Sequence, residues 1–311
     1  MNIYLNLPIL AALLLLSSCN VAKMRVRHTT KAMEKSSAQA YTFVDADGSH
    51  HVWASNNGKP KLMLIHGITG SSVAQWSGNA QRLGEHYDLI IPDLIGHGKS
   101  IQTWSGSSID AQVEHLNLLL DSLHITESIH LVGNSYGGAI AANFAEQHPN
   151  RVKTLVINAG PASDFTHAMA DSIAKANGGT NIQEIISPTD KKGQRNALKT
   201  VLYKMPILPG FVLRQFNDVY IKPYHNAHMD LMNDLLAHEE EYSTKVYDWP
   251  MPVYLLWGQN DQLIPLEIGI GIQTRNDLAD DHLIIIPKCG HIANVERAEQ
   301  FEREIKRILV D

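Results

Sequence analysis

The sequence predicts an α/β fold in which helices cover both faces of a mostly parallel central sheet. Short apolar runs, typical of buried strands, alternate with longer segments of helical periodicity. The 311 residues contain 44% hydrophobic and 19% charged residues, as a packed domain does, and they contain no repeat. Strands that alternate with helices in this way are joined by right-handed crossovers into a parallel sheet.

The predicted elements begin with a hairpin, because two strand-like runs, 41–44 and 50–55, flank the turn-rich segment DADGS. The further predicted strands are continuous apolar runs at 61–65, 87–92, 128–132, 154–158, 253–257 and 283–286. The predicted helices are amphipathic segments near 73–86, 108–124, 136–148 and 298–309. Between residues 161 and 250 the chain has no strong strand pattern and is rich in Met, Tyr, Asn and His. The sequence therefore predicts one core, 41–160 and 251–311, that is interrupted by a helical insertion, 161–250.

The N-terminus is predicted to be a targeting segment. Residues 9–16 form an apolar run that is too short to span a bilayer, and small residues follow it. The sequence Leu-Ser-Ser before Cys19 resembles a bacterial lipobox, which predicts a signal peptide over 1–18 and lipidation of Cys19. Residues 19–40 then read as a tether with a net charge of +4, so the total of −6 leaves −10 on the remainder. These features predict a lipid-anchored protein of the bacterial cell envelope.

Composition excludes several other classes of protein. The excess of Asp and Glu over Lys and Arg argues against a nucleic-acid-binding surface. Two cysteines cannot form a disulfide framework. Sixteen histidines raise the question of a metal, and His225, His228 and Asp230 form the densest group of possible ligands. Because their pattern matches no known ligand spacing, it is interpreted as a polar surface, and no metal is predicted.

The motif that carries chemistry is Gly-Asn-Ser-Tyr-Gly around Ser135, a G-x-S-x-G between a predicted strand and a predicted helix. Its glycines allow a tight turn that raises a strained serine above the sheet. A serine needs a base and an orienting acid to act as a nucleophile. Asp261 and His291 each follow a later predicted strand, in the chain order that such a triad requires. Asp164 is the alternative acid, whereas Cys289 lacks the turn of a nucleophile and is interpreted as a packed thiol.

From residue 41 onward the chain resembles the serine α/β-hydrolase family. The matching motifs occur in the family's order: His66-Gly67, DLIGHGKS at 93–100, GNSYGG at 133–138, WGQND at 257–261 and CGH at 289–291. The resemblance implies an α/β-hydrolase fold in which Ser135 attacks, His291 transfers the proton and Asp261 orients the imidazole. It also implies an oxyanion hole formed by the backbone N–H groups of Ile68 and Tyr136, and a helical cap over the serine. His66, Asp93 and His97 are interpreted as residues that shape loops.

The predicted substrate is a small-molecule carboxylic ester, with monoacylglycerols and other lipid-like esters as candidates. Aromatic and Met residues of the insertion are candidates for an acyl pocket, although packing within the cap would also explain them: Phe165, Met169, Phe211, Phe216, Tyr220, Tyr224, Met229 and Met232. Asn134 before the serine also resembles hydrolases that cleave carbon–carbon bonds in ring-fission products, but Arg195 and Arg214 in the insertion match no motif of that branch. A ligand-binding protein on the same scaffold is a further alternative. No cofactor is predicted, and the sequence does not indicate an oligomeric state.

Overall fold

A computed structural model describes the protein over residues 20–102 and 108–310. The predicted signal peptide, 1–18, and Cys19 lie outside the described residues. Among the described residues, no helix combines the length and the apolar character that are needed to cross a bilayer.

The strands form one sheet that is mostly parallel. They are β1 (Gln39–Val44), β2 (Gly48–Ala54), β3 (Lys61–Ile65), β4 (Asp88–Pro92), β5 (Ile101–Gln102), β6 (Ile129–Asn134), β7 (Val152–Asn158), β8 (Val253–Gly258) and β9 (Leu283–Ile286). The order across the sheet is β1-β2-β4-β3-β6-β7-β8-β9, and β5 pairs with β2. The pairs β1–β2, β2–β4 and β2–β5 are antiparallel, and the pairs from β4 to β9 are parallel. This is the α/β-hydrolase fold that the sequence predicts.

Helices cover both faces of the sheet. They are α1 (Val21–Lys35), α2 (Ser72–Gly84), α3 (Ile109–Ser122), α4 (Tyr136–Gln147), α5 (His167–Ala176), α6 (Ile182–Ile186), α7 (Lys191–Val201), α8 (Gly210–Phe216), α9 (His225–Ala237), α10 (Glu239–Ser243), α11 (Leu266–Arg275), α12 (Ala293–Glu296) and α13 (Ala298–Ile308). Side chains alternate between the two faces along each strand. Met63 and Ile65 therefore pack in the core beneath α3 and α4, while Leu62 and Leu64 pack in the core beneath α2 and α13.

The strands and helices that the sequence predicts for the core start and end within two residues of their predicted bounds, but the sequence analysis missed the short strand β5 and the helices α11 and α12. Continuous apolar runs identify buried parallel strands well, because both faces of such a strand are covered.

The predicted tether departs from expectation, because most of it is the helix α1. The Asn20 side chain caps this helix by accepting a hydrogen bond from the Lys23 N–H at 2.9 Å. Ala22 and Met33 are completely buried, and α1 packs against α2 and α8. Burial of the apolar face of α1 stabilises the packing of this segment against the rest of the protein in spite of its net positive charge.

The insertion between β7 and β8 contains α5 to α10 and short turns. A π-helical turn, Asn217–Ile221, follows α8 directly, and a single 3₁₀ turn, Lys222–Tyr224, leads into α9. This part of the chain lies over the carboxyl ends of the central strands, and it is largely helical, as its lack of strand pattern predicts.

Candidate active site

Ser135 stands on a sharp turn between β6 and α4. Its backbone lies in the left-handed half of conformational space, with φ 55° and ψ −129°, which costs on the order of 1–3 kcal/mol for a non-glycine residue. A Cβ at Gly133 would overlap the Gly137 carbonyl, and a Cβ at Gly137 would overlap the His66 carbonyl. Both glycines of the motif are therefore required by close backbone contacts. The Ser135 N–H donates to the Asn158 carbonyl at 2.9 Å, which holds the turn against β7.

His291 and Asp261 form a buried hydrogen-bonded pair. The His291 Nδ1–H donates to Asp261 Oδ2 at 2.7 Å. The other carboxylate oxygen, Oδ1, accepts the backbone N–H groups of Leu263 and Ile264, both at 2.9 Å. Because the carboxylate is fixed by three donors, it fixes the imidazole tautomer in turn and leaves the lone pair on Nε2. His291 Nε2 is buried and has no hydrogen-bond partner in the described part of the chain, and the side chain lines the same cavity as Ser135.

The loops that follow β8 and β9 are held at contact distance, since a Cβ at Gly258 would overlap the Gly290 carbonyl. The Asn260 N–H donates to the Cys289 carbonyl at 2.8 Å, which joins the two loops again. This contact explains why an acid and a base that are 30 residues apart in sequence meet at one edge of the sheet.

Asp164, the alternative acid, forms its hydrogen bonds with Arg275 and Ser163. Its two oxygens accept from the Arg275 guanidinium, Oδ1 at 2.6 Å and Oδ2 at 3.2 Å, and Oδ2 also accepts from the Ser163 hydroxyl. Partial burial raises the pKa of Asp164, but these hydrogen bonds outweigh that effect and lower it. The structure therefore places Asp261 against His291, and it places Asp164 in an ion pair with α11.

The loop after β3 carries Ile68, one of the two predicted oxyanion-hole residues, beside the turn that carries Tyr136. A Cβ on Gly67 would lie 3.0 Å from the Ser135 Cβ, so the loop approaches the serine closely. The His66 Nδ1–H donates to the Gly67 carbonyl at 2.8 Å, and the Leu94 N–H donates to His66 Nε2 at 3.0 Å. Ile68 and Ser135 line a common apolar recess.

His97 connects this loop with the insertion. Its two ring nitrogens face the carbonyls of Ile95, at 3.0 Å, and Ile68, at 2.6 Å. The ring is stacked on Tyr224, and the His228 ring lies 5.3 Å away. Burial lowers the pKa of His97.

Asp93 organises the neighbouring loop. Its Oδ1 accepts the N–H and the hydroxyl of Ser72, and its Oδ2 accepts from His51 and from the Lys99 N–H. Burial would raise the pKa of Asp93, but hydrogen bonds and nearby imidazoles lower it to about 2. Asp93 and the two loop histidines thus shape the loops around the serine.

The other candidate groups have structural surroundings. Burial raises the pKa of Cys289 to about 12, so its thiol is protonated at neutral pH. His228 is buried beside His97, whereas Asp230 is exposed on another face of α9, and the His225 ring pairs with the Ser187 hydroxyl at 2.7 Å. In residues 20–102 and 108–310, no group of three or more potential ligands could hold a metal ion.

A cavity of about 400 Å³ lies between the core and the insertion. Ser135 and His291 are on its core wall, and most of its other lining is apolar. Of the aromatic and Met residues named above, Phe216 and Tyr220 line this cavity, and Phe165 and Met232 line a second recess of about 20 Å³ beside Ser135. Much of the insertion wall is aliphatic: Ile185, Ile186, Ala197, Leu198, Val201, Leu208, Leu213 and Ile221. The sequence analysis named only aromatic and Met residues and did not predict these aliphatic ones, although the spacing of Leu198 and Val201 is typical of one face of a helix.

Comparison with known proteins agrees with this fold. A model of the family described as "alpha/beta hydrolase fold" matches residues 60–298, so the chain belongs to that family. Lipase 1 of Psychrobacter immobilis is 30% identical over 86% of this chain and 82% of its own length. A 2-hydroxymuconate semialdehyde hydrolase of Pseudomonas putida is 28% identical over 80% of this chain and 86% of its own length. The crystal structure of Lip1 from Acinetobacter baumannii AYE superposes with a TM-score of 0.77 at 24% identity, covering 91% of this chain and 94% of that chain. The relatives thus include a lipase and a hydrolase of another substrate class, and they support hydrolase activity.

Proposed function

We propose that the protein is a serine hydrolase that cleaves carboxylic esters, with lipid-like esters as its preferred substrates. The observation that carries this proposal is the buried Asp261–His291 pair, whose unpartnered Nε2 opens onto the same largely apolar cavity as Ser135. The 30% identical lipase supports the same class of substrate.

In the proposed mechanism, Ser135 Oγ attacks the ester carbonyl carbon while His291 Nε2 takes the hydroxyl proton. Asp261 remains ionised and stabilises the imidazolium through Nδ1–H. The N–H groups of Ile68 and Tyr136 stabilise the negative carbonyl oxygen of the tetrahedral intermediate. As the intermediate collapses, the imidazolium returns the proton to the departing alcohol and an acyl-serine remains. Water, deprotonated by His291, then attacks the acyl-serine and releases the carboxylic acid.

The test is ester hydrolysis by the full chain in detergent, with p-nitrophenyl esters of increasing acyl length and Ser135→Ala as the control. We expect turnover that falls by roughly 10⁴ or more in the variant, because the nucleophile cannot be replaced by its neighbours. Turnover that survives in Ser135→Ala would refute the assignment of the nucleophile. Ligand binding without turnover of any ester would instead favour a binding protein on the hydrolase scaffold.

Hydrolysis of a carbon–carbon bond in a ring-fission product is the second candidate, since the Pseudomonas putida hydrolase is 28% identical over most of the chain. The two arginines of the insertion, Arg195 and Arg214, are both exposed and are absent from the cavity lining. Such a substrate carries a carboxylate, which neither arginine of the insertion is placed to bind, and the cation that lines the cavity, Arg25, belongs to α1. The preference for esters therefore rests on the largely apolar lining of the cavity and on the lipase relative. Assays with a 2-hydroxy-6-oxo-dienoate and with esters on the same preparation separate the two candidates.

We further propose that Cys19 carries a lipid which anchors the protein in the bacterial cell envelope. The support comes from the sequence around Cys19 and from five cations within residues 20–40, each worth about 1 kcal/mol near an anionic membrane surface. Metabolic labelling with an alkyne fatty acid, followed by membrane fractionation, tests this proposal. Wild type is expected to be labelled and to sediment with membranes, and Cys19→Ala is expected to lose both properties.

A further inference from the structure

The insertion wall of the cavity carries three polar side chains among its aliphatic residues. The π-helical turn, Asn217–Ile221, contributes Asn217 and Tyr220, and α7 contributes Gln194. In the described part of the chain, Asn217 Oδ1, Tyr220 OH and Gln194 Oε1 are buried and have no hydrogen-bond partner. Gln194 is only 8% exposed. Buried polar groups without partners are costly, so three such atoms in the insertion wall of one cavity need an explanation.

A positive charge lies beside these groups. Arg25 of α1 is the single Lys or Arg among the described residues that line the cavity, and no Asp or Glu is among them. Arg25 forms no ion pair with any described residue. Arg25 and Tyr220 line the same cavity. Burial raises the pKa of Tyr220, and the charge of Arg25 opposes that rise.

The helix that carries Arg25 is held in position. Its apolar face is buried through Ala22 and Met33, and the Val21 N–H donates to Gln215 Oε1 of α8 at 2.8 Å. The guanidinium therefore stands on an ordered helix that packs against the element preceding the π-helical turn. A segment that reads as a tether in the sequence thus contributes to the wall of the cavity.

We infer that Arg25, Gln194, Asn217 and Tyr220 form a subsite for an anionic, oxygen-rich headgroup, such as a phosphate or carboxylate, on the ester substrate. This inference rests on the proposed ester hydrolysis. A guanidinium matches two oxygens of such a group at once. The tyrosine hydroxyl donates a third hydrogen bond, and each amide can present either its NH₂ or its oxygen, because the two are interchangeable by rotation. An anion at this wall would satisfy the unpartnered groups while the acyl chain occupies the aliphatic lining.

The test compares two soluble substrates that differ only in the anionic group, 1-hexanoylglycerol and 1-hexanoylglycerol 3-phosphate. Release of hexanoic acid by the full chain in detergent gives kcat/KM for each substrate. The measured quantity is the ratio of the phosphate substrate to the neutral substrate. We expect wild type to favour the phosphate substrate and Arg25→Gln to lower this ratio by about tenfold, the effect of one charge-assisted hydrogen bond. Tyr220→Phe is expected to lower it by about threefold.

Arg27→Gln is the matched control, because Arg27 lies on the same helix, is exposed as Arg25 is, carries the same charge and does not line the cavity. It is expected to leave the ratio unchanged. An equal fall in Arg27→Gln and Arg25→Gln would overturn the subsite in favour of general attraction to a basic helix, and an unchanged ratio in Arg25→Gln would also overturn it. Arg25→Lys keeps the charge but not the two-pronged geometry, so a ratio below that of wild type in Arg25→Lys provides the same test if Arg25→Gln fails to fold.

The two substrates also separate this inference from the proposed function. If neither substrate is cleaved in a Ser135-dependent reaction, the ester hydrolase itself is refuted. If 1-hexanoylglycerol is cleaved and wild type shows no preference for the phosphate substrate, the subsite alone is refuted. The hexanoyl ester of 3-hydroxypropanoic acid, compared with its methyl ester, repeats the measurement of hexanoic acid release with a carboxylate in place of the phosphate.

Discussion

The strand ends of the core and the helical insertion above them position their side chains in different ways. Around Ser135 and His291, backbone contacts are so close that glycines are required, and hydrogen bonds hold the serine turn and the Asp261 carboxylate in place. The insertion wall instead combines short helices, a π-helical turn and buried polar atoms without partners. This difference indicates that the core holds the proposed catalytic groups in place, whereas the insertion and α1 present polar groups to which a substrate can bind.

The largest expected effect concerns the acid of the core. Asp261→Asn should lower kcat by about 10⁴, because the amide favours the wrong tautomer of His291 while leaving the fold intact. Asp164→Asn is the matched variant, and it should change kcat by less than about threefold, since its partner is Arg275. Steady-state kinetics on one ester compares the two variants. A larger loss in Asp164→Asn would show that the hydrogen-bonded pair in the structure is not the catalytic one.

A smaller effect is expected where the two regions meet, at His97. His97→Phe keeps a ring against Tyr224 but removes the hydrogen bond to the Ile68 carbonyl. The loop that carries Ile68, the proposed oxyanion-hole donor, then shifts, and we expect kcat to fall by roughly tenfold to a hundredfold with little change in KM.

Tyr224→Phe is the control for His97→Phe, because it keeps the stacked ring and loses only a 3.4 Å contact to the Gly98 carbonyl. Its kcat should stay close to that of wild type. Equal losses in both variants would mean that packing at this contact matters and that the hydrogen bond to Ile68 does not.

Buried histidines should make the protein sensitive to acid. Burial lowers the pKa of His66 and of His115 to about 4 and that of His228 to about 3. In the unfolded chain these imidazoles bind protons below pH 6.5, and in the folded chain they do not, so stability is complete above pH 6.5 and is lost as the pH falls toward 4. Each of these histidines should lower the free energy of unfolding by about 2 kcal/mol at pH 5. Urea unfolding at pH 7.5 and pH 5 measures the loss.

His228→Phe should reduce that acid-induced loss, whereas His28→Gln, on the exposed side of α1, should not. If the free energy of unfolding of His228→Phe fell between pH 7.5 and pH 5 by as much as that of wild type, His228 would not contribute to the acid sensitivity.

The sequence predicts the core well and the cavity wall poorly, for physical reasons. Buried strands are continuous apolar runs, and the residues of the proposed triad directly follow such runs, so the sequence alone singles out Ser135, Asp261 and His291 as candidates. Arg25 could not be assigned to the cavity, because the charge of its segment suggested a solvated tether. One face of a helix is nevertheless indicated by the spacing of Ala22, Val26, Thr29 and Met33. The sequence analysis considered only the net charge of this segment and did not use that spacing. Which insertion residues face the serine depends on how short helices pack, and that is not encoded in any local pattern.

The smallest expected effect tests the aliphatic wall itself. Leu198 lines the cavity from α7, and its neighbour Lys199 is exposed on the same helix. Leu198→Trp should shorten the space for an acyl chain, so kcat/KM for a p-nitrophenyl decanoate should fall by about tenfold relative to the butyrate. Lys199→Trp adds the same bulk outside the cavity and should leave the ratio of the two esters unchanged. If Leu198→Trp lowered kcat/KM equally for both esters, the acyl chain would not extend along α7. The residues that select the acyl chain would then have to lie in another part of the cavity wall.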